Sequence, residues 1–247
     1  MRLYRSLYGK LAGELPDLRP WHFQWLAVRD LHADLRDTLA HQSAERVLDV
    51  GCGAQPYRNW MGNSREYVGL DIAPGPSVDV LAQRGQAWPL PDASFDLVLC
   101  TQVLEHVDDL ALAVREMDRV LKPGGVLVVS APFSYNEHGT PDDYRRFSRF
   151  GLRQLFETGY EIESVRGEGG IGTMLGVLLL NWLDMSLGRS RSTRALKVLL
   201  LPGWLVACGG VNVLARLVDR MDTTDAFYSI AFLVARKHEP VAKPHGC

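Results

Sequence analysis

Asp49 and Asp71 stand 22 residues apart, each near the end of a short apolar run, and the first run passes directly into Gly51-Cys52-Gly53. A strand, an acid at its end and a glycine turn can hold a ligand, because open α/β sheets bind ligands beyond the carboxyl ends of their strands. Gly51 and Gly53 lack the Cβ that would keep the backbone away from such a ligand. A carboxylate ending the next strand, Asp71, can accept hydrogen bonds from both hydroxyls of a ribose. A dinucleotide site would also require glycine at position 56, where a tightly packed helix receives a pyrophosphate at its N-terminus. The chain has Pro56 there, which argues against a nicotinamide oxidoreductase.

The pocket therefore suits an adenosine-bearing ligand without a pyrophosphate. S-adenosylmethionine meets that description, since its cationic amino-acid end would welcome Asp49. A second polar group of residues, Tyr135 to Phe147, contains His138, several carboxylates, Tyr144, Arg145 and Arg146. It follows a strand on the ligand-binding edge and carries the equipment to hold an acceptor, with His138 the best base because its pKa lies near neutrality. The same segment also reads as a solvated lid in which Arg145 and Arg146 pair with Asp142 and Asp143.

The elements that position these groups follow from periodicity. Trp21, Trp25, Val28, Leu31, Leu35 and Leu39 recur at helical spacing. Arg46–Val50, Tyr67–Asp71, Phe95–Cys100, Val126–Ala131, Ile162–Val165 and Tyr228–Ala235 read as strands. Leu110, Val114, Met117 and Leu121 share a helical face that Lys122-Pro123-Gly124-Gly125 should stop, and Phe150–Thr158 reads as a short helix. Strands alternating with helices predict an α/β fold, a doubly wound sheet with helices on both faces.

The segments VLDVGCGAQPY, YVGLDI, LPDASFDLVLCTQVLEHV and EMDRVLKPGGVLVVSAPF resemble, in order, the motifs of class I S-adenosylmethionine-dependent methyltransferases, most closely the small-molecule group called methyltransferase type 11. The resemblance covers about residues 45–166 plus the last strand. It implies a Rossmann-like seven-stranded sheet whose last strand is reversed. It also implies that Asp49, Gly51, Cys52 and Gly53 surround the methionine half of S-adenosylmethionine, that Asp71 holds the ribose, and that Ile72 stacks on adenine. Thr101 and Gln102 would face the methionine part and the methyl group. Where the family usually places an Asp against the adenine amine this chain has Arg84, so Gln86 or the backbone of Gly85 to Ala87 takes that place. His106 sits near the site by the same resemblance, or else acts as a structural histidine capping the adjacent helix.

With 47% hydrophobic and 23% charged residues and a net charge of -2, the chain is globular and offers no basic surface for nucleic acid. Four scattered cysteines without CxxC or His partners predict reduced thiols, a cytoplasmic protein and no metal. The expected organisation is an N-terminal helical lid over residues 1–44, a donor-binding core over 45–166 and 226–237, and a helical insert over 167–225. The insert holds two apolar runs, Gly169–Leu183 and Val198–Ala215, joined by a segment with Arg189, Arg191, Arg194 and Lys197. It reads as a cap on the core or against a second subunit in a homodimer, as a peripheral membrane contact, or as a membrane span. The expected activity is methyl transfer to a small-molecule, glycan or lipid-linked acceptor. A catalytically silent donor-binding scaffold is the alternative.

Overall fold

The computed structural model describes residue 13 and residues 15–62, 64–188 and 200–239. Arg189, Arg191, Arg194, Lys197, Val198 and Cys247 lie outside the described residues. Seven strands form one sheet: β1 Arg46–Val50, β2 Glu66–Asp71, β3 Val80–Leu81, β4 Phe95–Thr101, β5 Leu121–Pro132, β6 Tyr160–Glu168 and β7 Ile230–Lys237, in the order β3-β2-β1-β4-β5-β7-β6. The first five pair in parallel. β7 runs against its neighbours, since Ser229 N–H donates to the Glu168 carbonyl beyond one end and His238 N–H to the Gly159 carbonyl beyond the other. The central strands carry long apolar runs because parallel strands are covered on both faces. Leu97, Val98, Leu99 and Cys100 of β4 and Leu127, Val128 and Val129 of β5 have no solvent exposure.

Among the described residues five α-helices accompany the sheet: α1 Trp25–His41, α2 Leu110–Val120, α3 Arg149–Gln154, α4 Ile171–Gly188 and α5 Leu201–Asp219. The Asp109 side chain caps α2 by accepting from Leu112 N–H at 2.9 Å, and Ser148 caps α3 through Gly151 N–H at 3.1 Å. α2 stops at Val120, before the expected Leu121, and Lys122–Gly125 is already part of β5. A register shift opposite Phe95 and Leu97 absorbs it, so the strand begins five residues before the expected Val126. The two apolar runs of the insert became α4 and α5. Cys52, Cys100 and Cys208 are buried, and none is in a disulfide among the described residues.

The chain divides into two compact units. One comprises Leu39–Ala131, Gly139–Arg166 and the chain from Ala231, and holds most of the sheet with α2 and α3. The other comprises the chain up to Thr38, Pro132–His138 and Gly167–Ile230, and holds most of α1 with α4 and α5. Its core joins Leu26 and Ala27 of α1 to Val177 of α4 and Ala215 of α5.

Candidate functional site

β1 and β2 pair with Asp49 opposite Gly69 and Val50 opposite Leu70, so their acidic ends reach the same edge of the sheet. A cavity of about 290 Å³ opens at that edge. One side is formed by Val50 and Gly51 after β1, by Leu70, Asp71 and Ile72 at the end of β2, and by residues 82–86 and Trp88 after β3. The other side is Cys100, Gln102 and Val103 at the end of β4, Leu104 and His106 of the next turn, and Asp109, Leu112, Ala113 and Met117 at the start of α2. Gly51, Asp71, Ile72, Gln86, Gln102 and His106 thus line one cavity.

Backbone conformation shapes the turn after β1. Gly51 has φ +67, and a Cβ there would lie 2.4 Å from Val103 Cγ2, so the turn requires glycine on both counts. Gly53 N–H donates to Asp71 Oδ2 at 3.1 Å and Ala73 N–H to Oδ1 at 3.0 Å. These two bonds fix the Asp71 carboxylate and leave each oxygen with further acceptor capacity. Gln102 is left-handed at φ +55, with its N–H bonded to the Ser130 carbonyl at 2.9 Å and its amide to Ser130 Oγ at 3.1 Å. A strained non-glycine residue at a strand end is characteristic of binding sites. Ile72 is 49% exposed, an apolar side chain offered to a flat partner.

Asp49 lies behind this wall. It is buried, accepts from the Tyr67 hydroxyl at 2.8 Å, and its pKa is pushed up to about 7, mainly by burial and further by Asp71. The Cys52 thiol is pushed up to about 12, first by burial and then by Asp49, Asp71 and Asp79, so it is no thiolate nucleophile. Thr101 bonds the Tyr57 hydroxyl. Neither it nor Cys52, Gly53 and Ala87 belongs to the cavity wall.

His106 lies on the wall, and its Nδ1 is 2.5 Å from the Asp142 carbonyl, so that nitrogen carries the proton and donates it. That partner lies in the segment after β5, and the helix next to His106 is capped by Asp109 instead. Tyr144 is exposed, and its hydroxyl donates to Asp142 Oδ1 at 2.8 Å. His138 Nδ1 lies 3.2 Å from the Asn136 carbonyl, with its ring edge-on to Tyr135 at 5.1 Å.

The expected pairing of two arginines with two aspartates holds for Arg146 and Asp143 at 2.6 Å. Asp142 instead pairs with Arg84 at 2.5 Å, and Arg145 donates to the carbonyls of Val107 and Asp108. The Tyr144 hydroxyl and then Arg84 hold the Asp142 carboxyl below the usual range. Arg84, in place of the family's Asp, thus fastens the cavity rim to the polar segment after β5. The opposite charge 58 residues on was the only signal for this pair, and sequence reasoning missed it. It also missed Asp79, which accepts from Gly69 N–H at 2.8 Å and Gln55 Nε2 at 3.2 Å and anchors β2 beside the cavity.

Residues 48–129 match a family model described as a methyltransferase domain. A Mycolicibacterium smegmatis protein named "Probable S-adenosylmethionine-dependent methyltransferase" is 37% identical over 154 residues, 55% of this chain and 60% of that one. The match therefore spans less than two thirds of that relative. A solved S-adenosylmethionine-dependent methyltransferase from Archaeoglobus fulgidus aligns over 95% of this chain and 99% of that chain, with a TM-score of 0.54 and 16% identity. A solved [4+2]-cyclase aligns over 84% of this chain and 81% of that chain, with a TM-score of 0.52 and 22% identity. At such identities the two structures speak to the fold alone, and the cyclase shows that this fold also carries other chemistry.

Proposed function

We propose that this chain, whose residues 48–129 belong to the class I S-adenosylmethionine-dependent methyltransferases, binds S-adenosylmethionine at the carboxyl edge of its sheet and transfers the methyl group to a small-molecule, glycan or lipid-linked acceptor. The supporting observation is the meeting of Gly51, Asp71, Ile72, Gln86 and Gln102 in one cavity. Asp71, with acceptor capacity left on both oxygens, holds the ribose hydroxyls. Ile72 and the apolar wall of Leu70, Ala82, Leu112 and Met117 suit a flat heterocycle. Asp49 and Asp71 supply negative potential for a cationic ligand, which a neutral or anionic nucleotide would not need.

When bound, the donor supplies an electrophilic methyl on a sulfonium that is already a good leaving group. The work left to the chain is positioning and exclusion of water, and orientation alone is worth up to ~7–11 kcal/mol of barrier. Gly51 and Gln102 shape the wall around the reacting end. Tyr144 holds the acceptor through its hydroxyl.

Calorimetry with S-adenosylhomocysteine tests the donor site. Asp71→Ala should weaken binding at least about tenfold, because a hydrogen bond to a charged group is worth ~1.5–3 kcal/mol. Unchanged affinity in a folded variant would remove Asp71 from the site. Labelled donor incubated with fractionated cell extract tests transfer. Label entering a fraction, with S-adenosylhomocysteine released, supports the enzyme. Tight donor binding with no release in any fraction favours the silent scaffold.

A further inference from the structure

Asp142 joins the two sides of the donor cavity. Arg84 lines one side, built after β3, and His106 lines the other, built after β4. The Asp142 carboxylate pairs with Arg84 at 2.5 Å, while its backbone carbonyl accepts from His106 Nδ1 at 2.5 Å. Asp142 itself is not part of the cavity wall, so the bridge it makes lies on the rim. The two attachments differ in kind. Toward β4 the segment around Asp142 is held by backbone carbonyls: Tyr144 N–H donates to Glu105 at 2.8 Å, and the Arg145 guanidinium donates to Val107 and Asp108. Gly139 starts the segment at φ +63, and a Cβ there would lie 3.0 Å from His106 Cε1, so the chain is packed on that ring as well. Toward β3, among the described residues, the bridge rests on the Arg84–Asp142 pair, whose side chains are 44% and 34% exposed. Water and salt compete for a pair as open as this, and it is worth little when closed. The bridge is therefore fixed at one end and releasable at the other.

We propose that the Arg84–Asp142 pair is a clasp across the rim of the donor cavity, which must part for the donor to enter and for S-adenosylhomocysteine to leave. The inference rests on the reading of this cavity as the S-adenosylmethionine site. Parting needs no refolding. The carbonyl bonds toward β4 hold the Asp142 backbone in place, and the two side chains turn away from each other to open the rim. Arg84 takes Asp142 Oδ2 and the Tyr144 hydroxyl takes Oδ1, so the closed clasp also fixes the hydroxyl assigned to the acceptor. A clasp of this kind multiplies both the association and the dissociation rate by the fraction of time it is open, and leaves the affinity nearly unchanged. That signature separates a clasp from a donor contact, whose loss raises dissociation alone.

The test is the exchange of S-adenosylhomocysteine on the immobilised full chain, with association and dissociation followed by surface plasmon resonance. Asp142→Asn removes the charge and keeps the carbonyl that accepts from His106. Both rates should rise about two- to fivefold, the worth of an exposed ion pair, with the affinity within about twofold of wild type. The retained affinity shows that the variant is folded. Arg84→Gln should raise the association rate likewise, and the double variant should associate no faster than either single one, because the same pair is broken in all three. Added salt should speed exchange more in the wild type than in Asp142→Asn. Unchanged rates in both single variants overturn the clasp and leave the donor site standing. So does a rise in dissociation alone for Asp142→Asn, which would make Asp142 a donor contact. A wild type that does not bind S-adenosylhomocysteine defeats the donor reading itself, and the clasp with it.

Discussion

The sheet and the α4–α5 pair dispose of their apolar side chains in opposite ways. β4 buries Phe95 and Leu97 through Cys100, and its chemistry begins where the strand stops, at Gln102. α5 buries Cys208, Asn212 and Ala215 and turns Val206, Val213, Leu214 and Leu217 outward. A central parallel strand has partners on both edges and layers over both faces, so leucine there is core and polarity survives only at the ends. A helix has one supported side, and what its apolar residues mean depends on what covers the other. Leucine holds the fold in one region and stands at the surface in the other.

The contrast breaks first in the sheet. Leu99→Ala removes a side chain with no exposure and should cost ~2–5 kcal/mol of stability, read as a lower urea midpoint. A loss under about 1 kcal/mol would mean that β4 is not the support of the donor cavity that its burial implies.

Next in size is the pH dependence of donor binding. Burial raises the Asp49 pKa to about 7, so the group is neutral below that pH and charged above it. The ammonium group that the donor shares with S-adenosylhomocysteine favours the carboxylate, so S-adenosylhomocysteine affinity should rise with pH through about 7 and fall below it by up to about tenfold per unit. Calorimetry across that range should show the slope in the wild type and a flat profile in Asp49→Asn. The same slope in both would assign the titration to another group.

A smaller effect is expected at the polar segment after β5. Tyr144→Ala should lower turnover about two- to tenfold, the worth of one neutral hydrogen bond, and leave donor affinity unchanged. Equal loss of donor binding would make Tyr144 part of the donor site instead. The smallest effect belongs to the outward face of α5. Val206→Ser should change stability by no more than about 0.5 kcal/mol, as for an exposed position. A loss as large as that at Leu99 would mean that Val206 is packed, and the two regions would then follow the same rule.

Local sequence determined the strand–turn–acid unit of Asp49, Gly51 and Asp71, the run of strands, and the two apolar segments of the insert. These depend on neighbours a few residues apart, and the period of the chain carries them. Asp49 reads as a wall residue in sequence, yet the fold sets it behind the wall under the Tyr67 hydroxyl, because a strand end does not reveal which of its last residues faces the ligand. Partner choice over long separations also came only from the tertiary structure. Arg84 takes Asp142, 58 residues on, while Arg145, expected to pair with an aspartate, bonds two carbonyls instead. The faces of α4 and α5 were undetermined for a different reason. Both helices are apolar nearly all round, so periodicity selects no inner side, and it is the approach of Gly172 and Gly176 to Ala215 that decides which leucines are left outside.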